Sequence, residues 1–420
     1  MKRKVLMTTA TRCPFGEGFD FTNPDLMVRG LPVQEFAQLR RTTPVWWNAQ
    51  EEGNAGGFHD GGFWVISKHQ HIREISRDPE LWSSHENGCV MRYDNLITAE
   101  EMEAAKVMMH NSDPPTHTRL RKLVSRGFTP RAVHALEESL TAAAADIVTA
   151  AAEKGTGDLV DDVSKRLPLL AIANLLGLPP EDHDRLFDWS NAMIGAEDPE
   201  SADDPRQAMA EIMMYSYAKA SERIEDPADD IITKLVNADL DGDMLTELEF
   251  GYFVLMLAVA GNETTRNATS IGMNALLEHP DQWELFKRER PKTAADELIR
   301  WSSPINAFQR TARQDTEVGG VRITKGDRVG LFYGSANFDE DVFDDPFRLN
   351  ILRDPNPHLG FGGTGPHYCI GANLARMEIG IILNAIADHL PNISKTAEPR
   401  RVRSGWVNGI ATMPVDYGTY

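Results

Sequence analysis

The chain has 420 residues, of which 41% are apolar and 25% charged, an ordinary globular composition long enough to bury a sizeable core. A formal net charge of −20 argues against nucleic acid and anionic membrane surfaces as partners. The three cysteines, Cys13, Cys89 and Cys369, are too scattered for a disulfide framework or a zinc pattern and suit a reducing compartment. The longest apolar stretch, residues 250–260, is about half a membrane span, and the apolar run after Met1 is too short for a signal-peptide core. The expectation is a cytoplasmic protein with no membrane span.

In chain order, residues 1–30 are turn-rich, 31–40 suggest a short helix, and Phe63-Trp64-Val65-Ile66 reads as a strand followed by a helix at 71–77. Residues 83–95 are irregular, and 98–109 are expected to be helical. The run Asp113-Pro114-Pro115-Thr116-His117-Thr118-Arg119-Leu120-Arg121 blocks one helix and starts another. His117 and Arg121 share a face of it, where they either grip a carboxylate or stand as two solvated charges. Helices are predicted over 136–152, 167–176, 181–193 and 208–224, with an acidic, proline-bearing loop at 197–205.

Thr246 with Glu249 forms a capping box, and Leu245 with Phe250 a candidate hydrophobic staple, opening a helix that runs to Glu278. At 1.5 Å per residue it is about 48 Å long. Its centre, Ala260-Gly261-Asn262-Glu263-Thr264-Thr265, puts an acid and two hydroxyls into an apolar helix. That is either a site or a polar patch bonded to its own preceding turn. Glu297-Leu298-Ile299-Arg300 places an acid and a base three apart on one helix. Residues 318–333 read as strands with tight glycine turns, and 339–359 show little periodicity. Late in the chain comes Phe361-Gly362-Gly363-Thr364-Gly365-Pro366-His367-Tyr368-Cys369-Ile370-Gly371, then an amphipathic helix over 372–390. Cys369 thus sits at a helix N-terminus, which favours a thiolate. Gly363, Gly365 and Gly371 are expected to let the backbone turn tightly and to leave room for a flat, bulky ligand. A buried free cysteine beside a glycine-rich loop is the plainer alternative.

This last segment resembles the haem-ligand signature of cytochrome P-450 enzymes, through Gly365, His367 and Cys369-Ile370-Gly371, with Phe361 one residue further from the cysteine than in the commonest form. The Asp113–Arg121 run, the centre of the long helix and the Glu297–Arg300 pair resemble three further motifs of that family, in the same order. The resemblance implies a single domain over residues 1–420 with the cytochrome P-450 fold, mainly α with a small β region. That fold is triangular, with haem b between the long central helix and the cysteine-bearing helix. It implies Cys369 as the iron ligand, and Thr264 and Glu263 as the residues that deliver protons. His117, Arg121, Arg310 and His367 are implied at the propionates, with Ala260, Gly261, Phe361, Gly362 and Gly371 also against the haem. Electrons must come from outside, from a ferredoxin and ferredoxin reductase, since the chain has no flavin or iron–sulfur motif; a basic cluster at Arg119, Lys122, Arg126 and Arg131 is the expected docking area. Within the family, Phe19-Asp20-Phe21, Trp46-Trp47-Asn48, the run from Gly56 to Trp64, and Arg403-Ser404-Gly405-Trp406 look like actinobacterial steroid side-chain 26-monooxygenases. The implied substrate is cholesterol or cholest-4-en-3-one, together with O2. Substrate contacts are expected from Val90, Met91 and Tyr93, from Met193 in a lid, from Tyr252, Leu255 and Val259 on the long helix, and from Trp406 and Val407. Oxidation of branched fatty acids or terpenoids, and a haem-binding sterol sensor or carrier, are the competing readings.

Overall fold

The computed structural model describes residues 14–16, 18–51, 56–93, 97–194, 204–228, 230–237 and 244–418. Its centre is the helix Glu247–Glu278, which is buried along most of its length. The predicted capping box is present: Thr246 Oγ1 accepts from the Glu249 amide, and the Glu249 carboxylate accepts from the Thr246 amide. Leu245 and Phe250 join the same apolar cluster. Against this helix pack Arg166–Leu176, Pro205–Glu225, Ala294–Ser302 and the cysteine-side helix Ala372–His389. The alanine-rich helix Glu137–Ala152 turns Leu140, Ala144, Val148 and Ala151 inward and packs on Ala372–His389. Small side chains at this spacing let the two helices approach closely. Inside the cysteine-side helix lies Glu378, 2% exposed, with Oε2 lacking a hydrogen-bond partner among the described residues.

The β region is small. Its main sheet has the strand order Val45–Ala49, Gly62–Ile66, Arg328–Phe332, Ala307–Ala312, Trp82–Ser83. Gly62–Ile66 and Arg328–Phe332 are parallel, and the other pairs are antiparallel. Alternation along Ala307–Ala312 sends Gln309 to one face and Arg310 to the other. The expected helix over 98–109 is shorter: Ala99–Ala104 opens with a capping box at Thr98, and two 3-10 turns follow. The predicted loop at 197–205 falls largely outside the described residues. Three features carried too little periodicity to be read: the strand Thr156–Asp158, paired with Pro414–Asp416; the π-helical turn Val160–Ser164; and the short helix Ile231–Val236.

Glu297 and Arg300 form a fully buried ion pair with two parallel 2.8 Å hydrogen bonds. Glu297 also accepts from the Asn350 amide, Arg353 Nε and Asn356 Nδ2, at 2.9, 3.1 and 3.1 Å. Arg300 donates to the carbonyls of Asn337 and Pro346 at 2.7 and 3.0 Å. The side chain of Asn337 accepts from the Leu359 amide at 2.6 Å. The aperiodic segment before the cysteine loop is therefore shaped by one buried charge pair rather than by secondary structure.

Candidate active site

The cysteine loop is held by its backbone. The Cys369 amide donates to the Phe361 carbonyl at 3.1 Å, and the Gly371 N–H points at the sulfur. Gly363 and Gly365 also serve close packing of the loop. A side chain at either would collide with Ser76 of the helix His69–Arg77, so these glycines let the loop press onto that helix. Gly362 and Gly365 also have φ of 87° and 116°, where other residues are strained. The Phe361 ring is capped by the Arg376 guanidinium, 4.5 Å from its centroid, and Arg376 is held by Asp296 at 2.7 Å. Cys369 is accessible to a probe while deeply surrounded by protein, which places it on the wall of an internal space. Burial pushes its thiol up despite the Gly371 N–H and the charges of Arg121 and Arg376. A cation against the sulfur deprotonates such a thiol outright.

Basic groups converge nearby. The rings of His117 and His367 lie 4.1 Å apart, and Ser84 Oγ is 3.2 Å from His367 Nε2. Arg310 is 5% exposed and spends one donor on the Gln309 carbonyl at 2.6 Å. Burial, and then the charges of Arg121 and Arg310, push His117 down to about 4. Burial, and then Arg310, does the same to His110, also to about 4. His367 is likewise held well below the usual imidazole range by burial and by Arg310. His117 Nδ1 is buried without a hydrogen-bond partner among the described residues. Such a cluster calls for an anion. His110 was missed because it stands between Met109 and Asn111 with no motif to mark it.

Midway along the long helix the burial breaks. Ala260 is exposed, and Met256, Val259, Gly261 and Thr264 are partly accessible, between fully buried stretches on either side. Thr264 donates its hydroxyl proton to the Ala260 carbonyl at 2.6 Å, so its oxygen is left to accept. Glu263 is 2% exposed, ion-paired with Arg266 one turn on, and burial pushes its carboxyl up. A side chain at Gly261 would collide with Ile172, so Gly261 lets the helix Arg166–Leu176 close in.

The expected substrate residues divide. Val90, Tyr93, Met193, Val259 and Trp406 are partly accessible, and Trp406 packs on Phe308 with centroids 6.1 Å apart. Met91, Leu255 and Val407 are 0, 1 and 3% exposed, Met91 and Leu255 within apolar clusters and Val407 bridged to Ile305. Tyr252 is 9% exposed and faces a small void shared with Met109, Leu120 and Phe253. In the expected docking cluster, Arg119 is ion-paired with Glu249, Lys122 and Arg131 are exposed, and the side chain of Arg126 lies outside the described residues.

These residues fit haem b: an accessible cysteine in an interior wall, an imidazole nitrogen buried without a partner among the described residues, and a group of buried histidines and arginines for two carboxylates. A family model described as Cytochrome P450 matches residues 292–397. Fold, cysteine loop and matches together place the chain in the cytochrome P450 family, to which it belongs. It is 58% identical over 403 residues to the Steroid C26-monooxygenase of Rhodococcus jostii, covering 96% of this chain and 85% of that protein. It is 38% identical to the Methyl-branched lipid omega-hydroxylase of Mycobacterium tuberculosis, covering 91 and 90%. Among solved structures, a cytochrome P450 of Mycobacterium marinum in complex with pseudoionone superposes with a TM-score of 0.85 at 37% identity, covering 93 and 96%. No helix among the described residues is long and apolar enough to cross a membrane.

Proposed function

We propose that this P450 hydroxylates the terminal methyl of a sterol side chain, cholesterol or cholest-4-en-3-one, using O2 and electrons from a ferredoxin and its reductase. The observation that carries the substrate class is the 58% identity, across almost the whole chain, to a Steroid C26-monooxygenase. The accessible strip Met256, Val259, Ala260 is apolar and ends at Thr264, which suits a hydrocarbon tail presented end-on. A terminal methyl reacts ahead of the weaker tertiary C–H bond only when confinement holds it in place. The whole chain is taken to act as one domain, in the cytoplasm.

When bound on Cys369, the haem iron supplies the activation of dioxygen. His117, Arg121, Arg310 and His367 would neutralise its carboxylates, the histidines taking up protons as those charges arrive. Thr264 Oγ1, its own proton engaged by Ala260, would accept a hydrogen bond from a water and hold that water for proton delivery. Glu263, held by Arg266 and raised by burial, is suited to pass a proton inward by rotating away from that arginine. Thr264→Ala is expected to leave sterol affinity within about twofold while product formed per reducing equivalent falls on the order of tenfold, with peroxide released instead. Unchanged coupling would move proton delivery to Glu263 and water alone.

A second reading is supported by the 38% identity to a methyl-branched lipid hydroxylase, since both substrates present a branched alkyl end. Titration of the holoenzyme with cholest-4-en-3-one, cholesterol and a methyl-branched fatty acid, followed by the iron spin state, separates the two. Turnover with a ferredoxin and its reductase then locates the new hydroxyl. Sterol binding with terminal oxidation is the expected result. Preference for the fatty acid, or oxidation only on the ring system, overturns it, and binding without turnover makes the protein a carrier.

A further inference from the structure

Gln309 and Arg328 lie on neighbouring antiparallel strands, on one face of the main sheet, and both are 0% exposed. Arg328 Nη1 donates to Gln309 Oε1 at 3.0 Å. Arg328 Nε and Nη2 are engaged elsewhere. Both carboxylate oxygens of Asp60 accept from them, as do Gln50 Oε1 at 3.1 Å and the Gly62 carbonyl at 3.3 Å. The Phe58 ring centroid lies 3.8 Å from the guanidinium carbon.

Arginine has donors and no acceptor, so the Gln309 atom facing it must be oxygen. The amide nitrogen of Gln309 is thereby aimed the other way, at the Asn87 and Gly88 carbonyls, 3.2 and 3.3 Å away. The Gln309 backbone amide takes the next carbonyl, that of Cys89, at 2.7 Å. Three successive carbonyls of one loop therefore end on a single residue. That loop runs on into Val90, and its earlier part places Ser84 against His367. It forms a wall of the site already described.

We propose that Gln309 is a positioning residue for substrate selection, holding the loop 87–90 over the site through an amide whose orientation Arg328 dictates. The role rests on the sterol reading only for the identity of the substrate. Two variants of the holoenzyme separate positioning from bulk stability. Gln309→Glu keeps a partner for Arg328, and indeed strengthens it with a charge, yet turns an oxygen toward the loop carbonyls. Gln309→Met removes the loop donors without that repulsion and leaves a buried Arg328 donor unpaired. A purely structural residue would make the Met variant the worse of the two.

The measurements are hydrogen exchange of the peptide spanning residues 85–93 in ligand-free holoenzyme, and cholest-4-en-3-one binding and turnover. Exchange and the sterol Kd are expected to rise in the order wild type, Met, Glu, with the Kd of the Glu variant up about tenfold for two lost hydrogen bonds. KM should follow Kd while kcat changes less than about threefold, and hydroxylation should spread from the terminal carbon. Unchanged exchange, the reverse order of the two variants, or altered exchange with unchanged sterol Kd and products overturns the proposal. Should the wild-type protein bind no sterol while the exchange order holds, the substrate reading falls and the positioning of the loop stands.

Discussion

Cys369→Ser is expected to abolish the thiolate signature of the reduced, carbon-monoxide-bound spectrum and to reduce turnover to background, even where the protein folds and retains haem. The loop itself should survive the change. Its geometry is set by the Cys369 amide on Phe361 and by the seating of Gly363 and Gly365 on Ser76, none of which uses the sulfur. What disappears is the one soft, anionic donor in the wall. A serine hydroxyl in the same buried place is a far weaker acid than a thiol and stays neutral, so it donates little charge to a metal. The cationic cluster of His117, Arg121 and Arg310 would still hold the haem carboxylates, so haem content and axial ligation should part company. Absorbance of purified Cys369→Ser, before and after reduction under carbon monoxide, is the check. An unchanged spectrum in a folded, haem-loaded variant would remove Cys369 from the iron.

The second large effect is on stability. Glu297→Ala is expected to destabilise the fold by about 3–5 kcal/mol, because it leaves two buried guanidiniums, Arg300 and Arg353, without their carboxylate. It also strips acceptors from the Asn350 amide and Asn356. The damage should travel along the chain to the haem loop, since Asn337 joins the Arg300 contact to the Leu359 amide. Low haem incorporation should therefore accompany a lowered Tm. Glu297→Gln, which retains an acceptor, should lose less. A Glu297→Ala protein with wild-type Tm and full haem content would show that the segment folds without the pair.

Both predictions concern features that were legible before any coordinates, and for a common reason. Glu297 and Arg300 are one turn apart, Thr246 and Glu249 make a cap within one turn, and the cysteine loop is a continuous run; chemistry and spacing there lie within a few residues. Where the partners are distant in the chain, the sequence was silent. Arg376 on Phe361, Ser84 on His367, His110 near Arg310 and Arg328 on Gln309 are meetings arranged by the fold. The strand Thr156–Asp158 finds its partner only near the end of the chain, so it had neither length nor a nearby hairpin to mark it. The loop glycines were read only in part, for a related reason. Gly363 was expected to leave open space for a ligand, whereas it accommodates a particular neighbour, Ser76. On the long helix, Tyr252, Leu255 and Val259 share a periodicity, yet Leu255 is sealed in the core and Val259 is not. A helical stripe says which way residues point and nothing of where the neighbouring element ends.

The buried acid in the cysteine-side helix, Glu378, sets an alkaline edge to the molecule's tolerance. With no base set against it, burial pushes the Glu378 carboxyl up to about 8, so the folded protein keeps this proton at neutral pH. Below about pH 4.5 the folded and unfolded chains both hold it, and folding loses nothing by it. Above that, the unfolded chain releases the proton first, and the fold gives up stability steadily until the pH passes about 8, by at most about 5 kcal/mol. Thermal unfolding of the wild type at pH 6 and pH 9, set beside Glu378→Gln, would measure this directly. The amide cannot ionise, and it should flatten the alkaline limb of the stability profile. A protein that must keep a helix beside its metal centre in place has thereby tied that helix to the proton activity of its surroundings.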